Sequence, residues 1–354
     1  MIEVFLKIGF DGGYGNTKLI SSTGRRIEVP SVVGAGFKRS YGDIFGKRKG
    51  LEIDNLHACV DGEDYFIGAL ALKESRTPSA AFAENKINHP NTKALIASLT
   101  ALAMEKEKEN IIIVASLPFV EYKNQKREFK EYLNNFEAKV ILYDGEKEIK
   151  RHVFFRYAGV APQAAAAIYY LPEVYKEILN EEDITIAVID IGMKTLDVVV
   201  VEIADDIQII ESMSFGFHTG ISLLHDYLQR AIQDTTDLSL NIPKLDAVLK
   251  KGGRWGSFDF SEAIEKGKKE LAKMIIDEIN EKWGQEQKYK VGKIFLIGGG
   301  GEYLYEELKN SKDLKFIKNH IELPAEPRFI NARGCLVKAQ EIEEIVLEQN
   351  VSYL

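Results

Sequence analysis

The segment Ile8-Gly-Phe-Asp-Gly-Gly-Tyr-Gly-Asn-Thr-Lys18 has a counterpart about half the chain later, in Val188-Ile-Asp-Ile-Gly-Met-Lys-Thr-Leu-Asp197. Each begins as an apolar strand that ends in an aspartate, followed by a glycine two residues on and then by a hydroxyl residue. This pattern is typical of a strand, a tight turn and a second strand. Because it occurs once in each half, we expect two similar halves whose turns face each other.

The rest of the chain alternates short apolar runs with helical patterns. Strands are predicted at Val4–Phe10, Ile111–Ala115, Val140–Tyr143, Ile184–Ile189 and Lys293–Ile297, and helices at Asn91–Glu105, Pro162–Leu171, Gly220–Gln233, Ser261–Lys282 and Arg333–Leu347. Such alternation predicts an α/β fold with substantial parallel sheet. A chain of 354 residues, 45% hydrophobic, can bury its core without disulfides or a structural metal.

Charge and cysteine content exclude several classes of protein. The 46 basic and 54 acidic residues give a net charge of -8, which opposes broad binding to nucleic acid. Cys59 and Cys335 are the two cysteines and lack the spacing of a zinc site or disulfide framework. We find neither a signal-peptide pattern nor an apolar run of the roughly 18 residues that a membrane span requires. The chain is expected to be cytoplasmic, with no membrane partner and no direct nucleic-acid partner.

The first turn carries the residues needed to bind phosphate. Its glycines let successive backbone N–H groups converge on an anion, Lys18 adds a positive charge, and Asp11 is suited to the hydration shell of Mg²⁺. The candidate phosphate-binding residues here are Gly12, Gly13, Tyr14, Gly15, Asn16, Thr17 and Lys18. A glycine-rich hairpin with an incidental aspartate and lysine is the alternative interpretation.

The second turn supplies a second carboxylate, Asp190, at the end of the fully apolar strand Ile184–Ile189. Strands that are apolar on both faces are buried, and a charge at the end of one indicates a site. Asp190 is therefore the second candidate for Mg²⁺, through water, and the candidate phosphate-binding residues are Gly192, Met193, Lys194 and Thr195. A plain hairpin is again the alternative.

Near the end of the chain, the apolar run Lys293–Ile297 is followed by four glycines, Gly298, Gly299, Gly300 and Gly301. Glycines allow a flat ligand or a phosphate to lie directly against the backbone, and the predicted helix start beyond them favours negative charge. The segment matches neither a Rossmann nor a Walker A motif. A flexible loop without a ligand is the alternative.

Taken in order, these three segments resemble the two phosphate loops and the adenosine loop of the actin, Hsp70 and sugar-kinase superfamily. Ala158–Ala164 and Ile330–Val337 are similar to the two connecting helices of that fold. The closest likeness is to ParM/StbA-type plasmid-segregation actins and archaeal actin-like ATPases. The second phosphate loop usually has a further glycine where this chain has Met193 and Lys194, which predicts slow turnover.

The resemblance implies the ribonuclease H-like fold, with two similar α/β domains around a cleft for ATP (or GTP) and Mg²⁺. Domain I would span residues 1–163, domain II 164–330, and a helix at 331–354 would return to domain I. Gln163 would orient the attacking water, with Asp11 and Asp190 completing the catalytic residues. Adenosine would contact Gly298 to Gly301, Tyr303, Glu265, Lys268 and Lys269, although the three charged residues are also typical of a solvated helix face.

The resemblance further implies an ATPase whose nucleotide controls a homopolymeric filament, in plasmid or DNA segregation or as a cytoskeletal element. Residues 34–50 would form an assembly loop, and a separate DNA-binding adaptor would recognise the DNA. Two alternatives stay open: a small-molecule kinase with the same fold, and a nucleotide-dependent scaffold that does not polymerise.

Overall fold

The computed structural model describes residues 4–37, 51–82, 90–145, 147–175, 184–204, 207–312, 314 and 321–351. Residues 38–50, most of the expected assembly loop, lie outside the described residues. The chain divides into two compact units. The first comprises Met1–Leu117, Glu121–Tyr170 and Asn331–Leu354, and the second comprises Pro118–Val120 and Leu171–Ile330. No helix in the described ranges combines the length and apolar character that crossing a bilayer requires.

The strands are β1 Phe5–Gly12, β2 Asn16–Ser21, β3 Arg26–Pro30, β4 Val32–Ala35, β5 His57–Val60, β6 Glu63–Ile67, β7 Ser79–Ala80, β8 Asn110–Leu117, β9 Glu137–Asp144, β10 Lys147–Phe154, β11 Tyr157–Pro162, β12 Ile184–Ile191, β13 Leu196–Ile203, β14 Ile207–Ile209, β15 Phe215–Phe217, β16 Arg254–Trp255, β17 Phe258–Asp259, β18 Val291–Ile297 and β19 Ile321–Glu322. The helices are α1 Ala69–Glu74, α2 Pro90–Ala103, α3 Phe119–Asn134, α4 Ala165–Ile168, α5 Leu171–Val174, α6 Ser222–Thr236, α7 Ile242–Lys250, α8 Ser261–Lys282, α9 Gln285–Lys290, α10 Gly301–Lys309 and α11 Ile330–Val351.

The first unit contains two sheets. One has the order β11-β8-β1-β2-β3, and the other has the order β10-β9-β5-β6-β4-β7. In the first sheet β1 pairs antiparallel with β2 and parallel with β8, and β8 pairs parallel with β11. Seven of the eight residues of β1 are buried, as expected for a central strand covered on both faces. The register sets Asp11 between Lys18 of β2 and Ser116 of β8.

The second unit repeats this arrangement in one sheet with the order β14-β13-β12-β18-β19. All eight residues of β12 are buried, and this strand pairs antiparallel with β13 and parallel with β18. The register sets Asp190 between Asp197 of β13 and Ile297 of β18. The prediction of one strand–turn–strand unit in each half is confirmed by these two hairpins.

One predicted helix is only partly formed. The alanine-rich segment Pro162–Leu171 was expected to be helical, but β11 runs to Pro162, and only the short α4 and α5 follow. The alanines at 165–167 do form α4, whereas Tyr157–Pro162 pair in parallel with β8, so the first connecting helix expected at Ala158–Ala164 is a strand as far as Pro162. Proline ends the strand because it has no N–H to donate to a neighbour.

The long helix α11 packs against the first sheet at unusually close range. A side chain at Gly9 would lie 2.0 Å from the carbonyl oxygen of Ala332, and one at Gly334 would lie 1.7 Å from that of Ala166. Both positions therefore require glycine, since any Cβ would overlap a backbone atom. Cys335, the next residue of α11, is fully buried in an apolar cluster that also contains Ala166 and Ala339.

Candidate functional site

The carboxylate of Asp11 is the centre of the candidate site in the first unit. Its side chain is 4% exposed and lies beside Lys18, whose Nζ is 3.4 Å from Oδ2. Oδ1 accepts hydrogen bonds from Oγ of Ser116 at 2.7 Å and from Nε2 of Gln163 at 2.8 Å. A buried charge is tolerable only when it is paired and hydrogen-bonded, and these three partners meet that requirement.

The sheet places each of these partners. Lys18 and Ser116 are the register neighbours of Asp11 on either side. Gln163 follows β11 directly, and its backbone N–H donates to the carbonyl oxygen of Leu117 at 2.6 Å, which extends the ladder one residue beyond the strand. The structure therefore brings together Asp11, Lys18 and Gln163 from the predicted set and adds Ser116.

The glycine turn after Asp11 is held by Ser31. The Ser31 hydroxyl donates to the carbonyl oxygen of Gly13 at 2.6 Å and lies 2.8 Å from Oγ1 of Thr17. The backbone N–H of Ser31 donates to the carbonyl oxygen of Gly15 at 2.9 Å. Thr17 is fully buried, so its hydroxyl contributes to the turn through Ser31. A Cβ at Gly13 would lie 2.6 Å from the carbonyl oxygen of Asn16, so this tight turn requires glycine there.

Two further side chains of the turn reach neighbouring elements. The hydroxyl of Tyr14 donates to Oε1 of Glu121 in the first turn of α3. The amide of Asn16 donates to Glu28 of β3 at 3.1 Å. Gly12, at the end of β1, packs next to the ring of Phe82, where an added Cβ would lie 3.0 Å from the ring.

The second unit has its own set of predicted residues around Asp190, which is 6% exposed at the end of β12. Gly298 lies against this carboxylate, because a Cβ there would be 2.3 Å from Oδ1. Its φ of +78° also favours glycine. The four-glycine loop from 298 to 301 is joined to β12 by a hydrogen bond of 2.8 Å from the N–H of Gly300 to the carbonyl oxygen of Ile191.

The turn from Gly192 to Thr195 is closed by a hydrogen bond of 2.9 Å between the N–H of Gly192 and the carbonyl oxygen of Thr195. Residues at the start of α6 support it, since the N–H groups of Ile221 and Ser222 donate to the carbonyl oxygens of Gly192 and Met193 at 3.0 and 2.9 Å. This support orders the turn although Met193 and Lys194 are not glycines.

Asp197, at the end of the segment Val188–Asp197, has a structural partner that the sequence did not indicate. It is 1% exposed, and its Oδ2 accepts the backbone N–H of Phe119, the first residue of α3, at 3.1 Å. An acidic side chain at a helix N-terminus is favourable because it satisfies one of the N–H groups that have no partner within the helix.

The glycine loop runs directly into α10, which begins at Gly301. Gly299 has no atom within 4 Å of the position where a Cβ would be, so this part of the backbone is open to a ligand. Tyr303 is half-buried against the core of the second unit, and burial raises the pKa of its hydroxyl.

The three charged residues predicted on α8 differ in their surroundings. Lys268 lies 2.7 Å from Glu265 and 3.9 Å from Glu307 of α10, so its charge is largely balanced within the protein. Lys269 is exposed. Among the described residues we find no group of three or more His, Cys, Asp or Glu side chains able to hold a metal. Mg²⁺ needs no such group, since it keeps several waters and takes one or two carboxylates.

Family models match both halves of the chain. Residues 9–165 match the model of the actin-like protein N-terminal domain, and residues 188–310 match the C-terminal domain of the archaeal MreB-like actin homologue. The chain belongs to the actin-like proteins. Together the two matches contain every predicted site residue, from Asp11 to Tyr303.

Individual actin-like relatives agree with this assignment. The archaeal actin homolog of Thermoplasma acidophilum is 26% identical over 342 residues, which cover 92% of this chain and 96% of the relative. The subunit of a 15-stranded ParM filament from Clostridium botulinum has a TM-score of 0.84 at 27% identity and covers 95% of this chain and 99% of its own. An archaeal actin homolog solved as a complex with ADP has a TM-score of 0.76 at 20% identity, covering 95% and 99% of the two chains. The actin-like fold expected from the sequence is confirmed.

Proposed function

We propose that this actin-like chain binds and hydrolyses a nucleoside triphosphate with Mg²⁺ and that nucleotide binding drives its assembly into a filament. The observation that carries the proposal is the buried Asp11 carboxylate, held by Ser116, Gln163 and Lys18 beside a glycine turn. A charge maintained in this way at the end of a central strand has no evident structural purpose and is suited to a cation or a reacting group.

The two turns supply the groups that bind phosphate. In the first, the backbone N–H groups from Gly12 to Asn16 and the ammonium of Lys18 provide positive potential for phosphate oxygens. In the second, the backbone and the hydroxyl around Gly192 and Thr195 have the same role. ATP or GTP is the expected ligand, and the adenosine or guanosine would contact the open backbone at Gly299, with Tyr303, Glu265, Lys268 and Lys269 nearby in the second unit.

Asp11 in the first unit and Asp190 in the second each offer carboxylate oxygens, the hard ligands that a hydrated Mg²⁺ prefers. When bound, the ion would neutralise charge that develops on the phosphates. In the protein itself, Ser116 and Gln163 share Oδ1 of Asp11, which fixes the orientation of the carboxylate. Lys18 balances the charge on Oδ2.

Gln163 is suited to orient a water molecule. A carboxylate can only accept hydrogen bonds, so the NH₂ group of Gln163 must face Asp11 at 2.8 Å. The amide oxygen is thereby held as an acceptor for a water. Phosphoryl transfer to water depends mainly on alignment and charge stabilisation, and a neutral amide can supply the alignment.

Filament formation rests on the relatives. The ParM neighbour was solved as a filament, as was Alp12, a neighbour with a TM-score of 0.63 at 17% identity. We propose that this chain also forms a homopolymer, in plasmid or DNA segregation or as a cytoskeletal element. With a net charge of -8, it would reach DNA through a separate DNA-binding adaptor.

Light scattering recorded together with phosphate release, after Mg-ATP or Mg-GTP is added to the purified chain, tests the proposal. We expect scattering to rise above a critical protein concentration, filaments to be visible by negative-stain microscopy, and phosphate to follow. Phosphate release without assembly at any concentration would refute the filament and favour a kinase or a nucleotide-dependent scaffold. Absence of nucleotide binding would refute the proposal as a whole.

A further inference from the structure

Glu121 is a buried carboxylate that neither the sequence motifs nor the proposed mechanism uses. It lies in the first turn of α3 and is 9% exposed. Its Oε1 accepts the hydroxyl of Tyr14, and its Oε2 has no hydrogen-bond partner among the described residues. Burying a carboxylate costs several kcal/mol unless its interactions compensate, so this placement requires an explanation.

Capping of its own helix does not account for Glu121. A glutamate at the third position of a helix commonly accepts the backbone N–H of the residue that precedes the helix. That residue here is Pro118, which has no N–H. Since α3 begins at Phe119, Glu121 keeps the favourable interaction of a negative charge with a helix N-terminus, while its oxygens are released from the usual capping contact.

Tyr14, which donates its hydroxyl to this carboxylate, lies within the glycine turn. Gly13 and Gly15 flank it, and glycines leave a backbone with more freedom than other residues do. Ser31 holds the carbonyl oxygens of Gly13 and Gly15. The bond from Tyr14 to Glu121 is a second attachment of the same turn, made through a side chain and to a different element.

We propose that Glu121 is a positioning residue that acts through Tyr14. The carboxylate holds the Tyr14 hydroxyl, and with it the turn, so that the backbone N–H groups keep the orientation that binds phosphate. A turn held at two points loses less conformational freedom when the ligand binds, which strengthens binding. The inference rests on the proposed function, since it concerns the affinity of the first turn for the phosphates of the nucleotide.

Isothermal titration calorimetry with Mg-ADP and with a non-hydrolysable Mg-ATP analogue tests the inference. Tyr14→Phe removes the hydroxyl alone, and Glu121→Ala removes its acceptor. We expect each to weaken binding about tenfold, the effect of losing roughly one hydrogen bond. The double variant should bind no more weakly than either single variant, because both remove the same interaction.

Two controls separate positioning from a general structural effect. Glu121→Gln keeps an oxygen that can accept the Tyr14 hydroxyl and should restore most of the affinity. Tyr65→Phe removes a hydroxyl that donates to Glu63 at 2.7 Å, a tyrosine–glutamate pair within β6 that touches no predicted site residue, and should leave affinity unchanged. Should Glu121→Ala fail to fold, Tyr14→Phe and Glu121→Gln still decide the question.

The outcomes distinguish the inference from the proposed function. If the unmodified chain binds nucleotide and Tyr14→Phe binds it equally well, the positioning role of Glu121 is refuted while the proposed function stands. Additive losses in the double variant would also refute it, because two independent effects would then be present. If the unmodified chain binds no nucleotide, the proposed function itself fails.

Discussion

Nε2 of Gln163 lies 2.8 Å from Oδ1 of Asp11, and both side chains are almost completely buried. The bond fixes which end of the amide faces the carboxylate. We therefore expect Gln163→Ala to retain nucleotide binding and to slow phosphate release by roughly 100-fold, a typical contribution of one positioned group. Single-turnover phosphate release measures the rate, and calorimetry measures the affinity.

Gln233→Ala is the matched control for this variant, because Gln233 is exposed on α6 and its replacement should change neither quantity. Phosphate release from Gln163→Ala at the unmodified rate would show that its amide does not orient the water.

Ser116→Ala should destabilise the first unit. It removes a hydrogen bond of 2.7 Å to the buried Asp11 carboxylate, and bonds to charged groups contribute about 1.5–3 kcal/mol. Urea unfolding measures the free energy of unfolding. Ser98→Ala in α2 is the matched control. Ser98 is also fully buried, but its hydroxyl has no hydrogen-bond partner among the described residues, so its removal should not lower the free energy of unfolding in the same way. Equal losses in the two variants would contradict a specific role for Ser116.

Gly299→Ala should leave the fold intact and weaken nucleotide binding. A Cβ at this position meets no atom within 4 Å, whereas a bound nucleoside against the loop would meet it. Gly298→Ala should instead lower the unfolding midpoint, since its Cβ would lie 2.3 Å from Asp190 and its φ of +78° disfavours alanine. Thermal unfolding with and without nucleotide measures both. Unchanged affinity in Gly299→Ala would remove the loop from the proposed nucleoside contact.

Asp190→Asn should make nucleotide affinity nearly independent of Mg²⁺. In the unmodified chain, we expect chelation of the metal with EDTA to weaken the binding of nucleotide. The asparagine variant lacks the charge that favours a hydrated cation, so its affinity should be low with or without metal. Asp234→Asn, at an exposed position of α6, is the control. A variant at Asp190 that still responds to Mg²⁺ like the unmodified chain would refute the metal assignment.

The two hairpins could be predicted because each is encoded by about ten consecutive residues. The apolar strand, the aspartate and the glycine that follow one another in sequence also follow one another in the fold. The partners of Asp11 are a different case, since Ser116 lies 105 residues away and Gln163 lies 152 residues away. Only the register of β8 with β1 brings Ser116 to the carboxylate, and a single sequence does not specify that register.

The same physical limit explains the shortened helix and the glutamate that the sequence did not reveal. The alanines after Pro162 form the short α4 that their local preference favours, but the residues up to Pro162 gain more by pairing with β8, so the helix begins later than predicted. Glu121 looks like an ordinary first-turn acidic residue until Pro118 and Tyr14 are seen together in the structure. A partial signal did exist for Ser116, because it directly follows the predicted strand Ile111–Ala115, and parallel strands end at the same edge of a sheet.

Because α11 packs tightly against the first sheet, the reactivity of its buried cysteine reports whether the helix stays in place. Cys335 is fully buried, and burial, reinforced by the nearby Asp11 charge, raises the pKa of its thiol well above the usual range. The thiolate is the nucleophile that reacts with alkylating reagents, so at neutral pH Cys335 should stay unmodified while α11 remains in place. The rate at which Cys335 is alkylated, compared with the rate for the partly exposed Cys59, would therefore measure how often this helix moves away from the sheet.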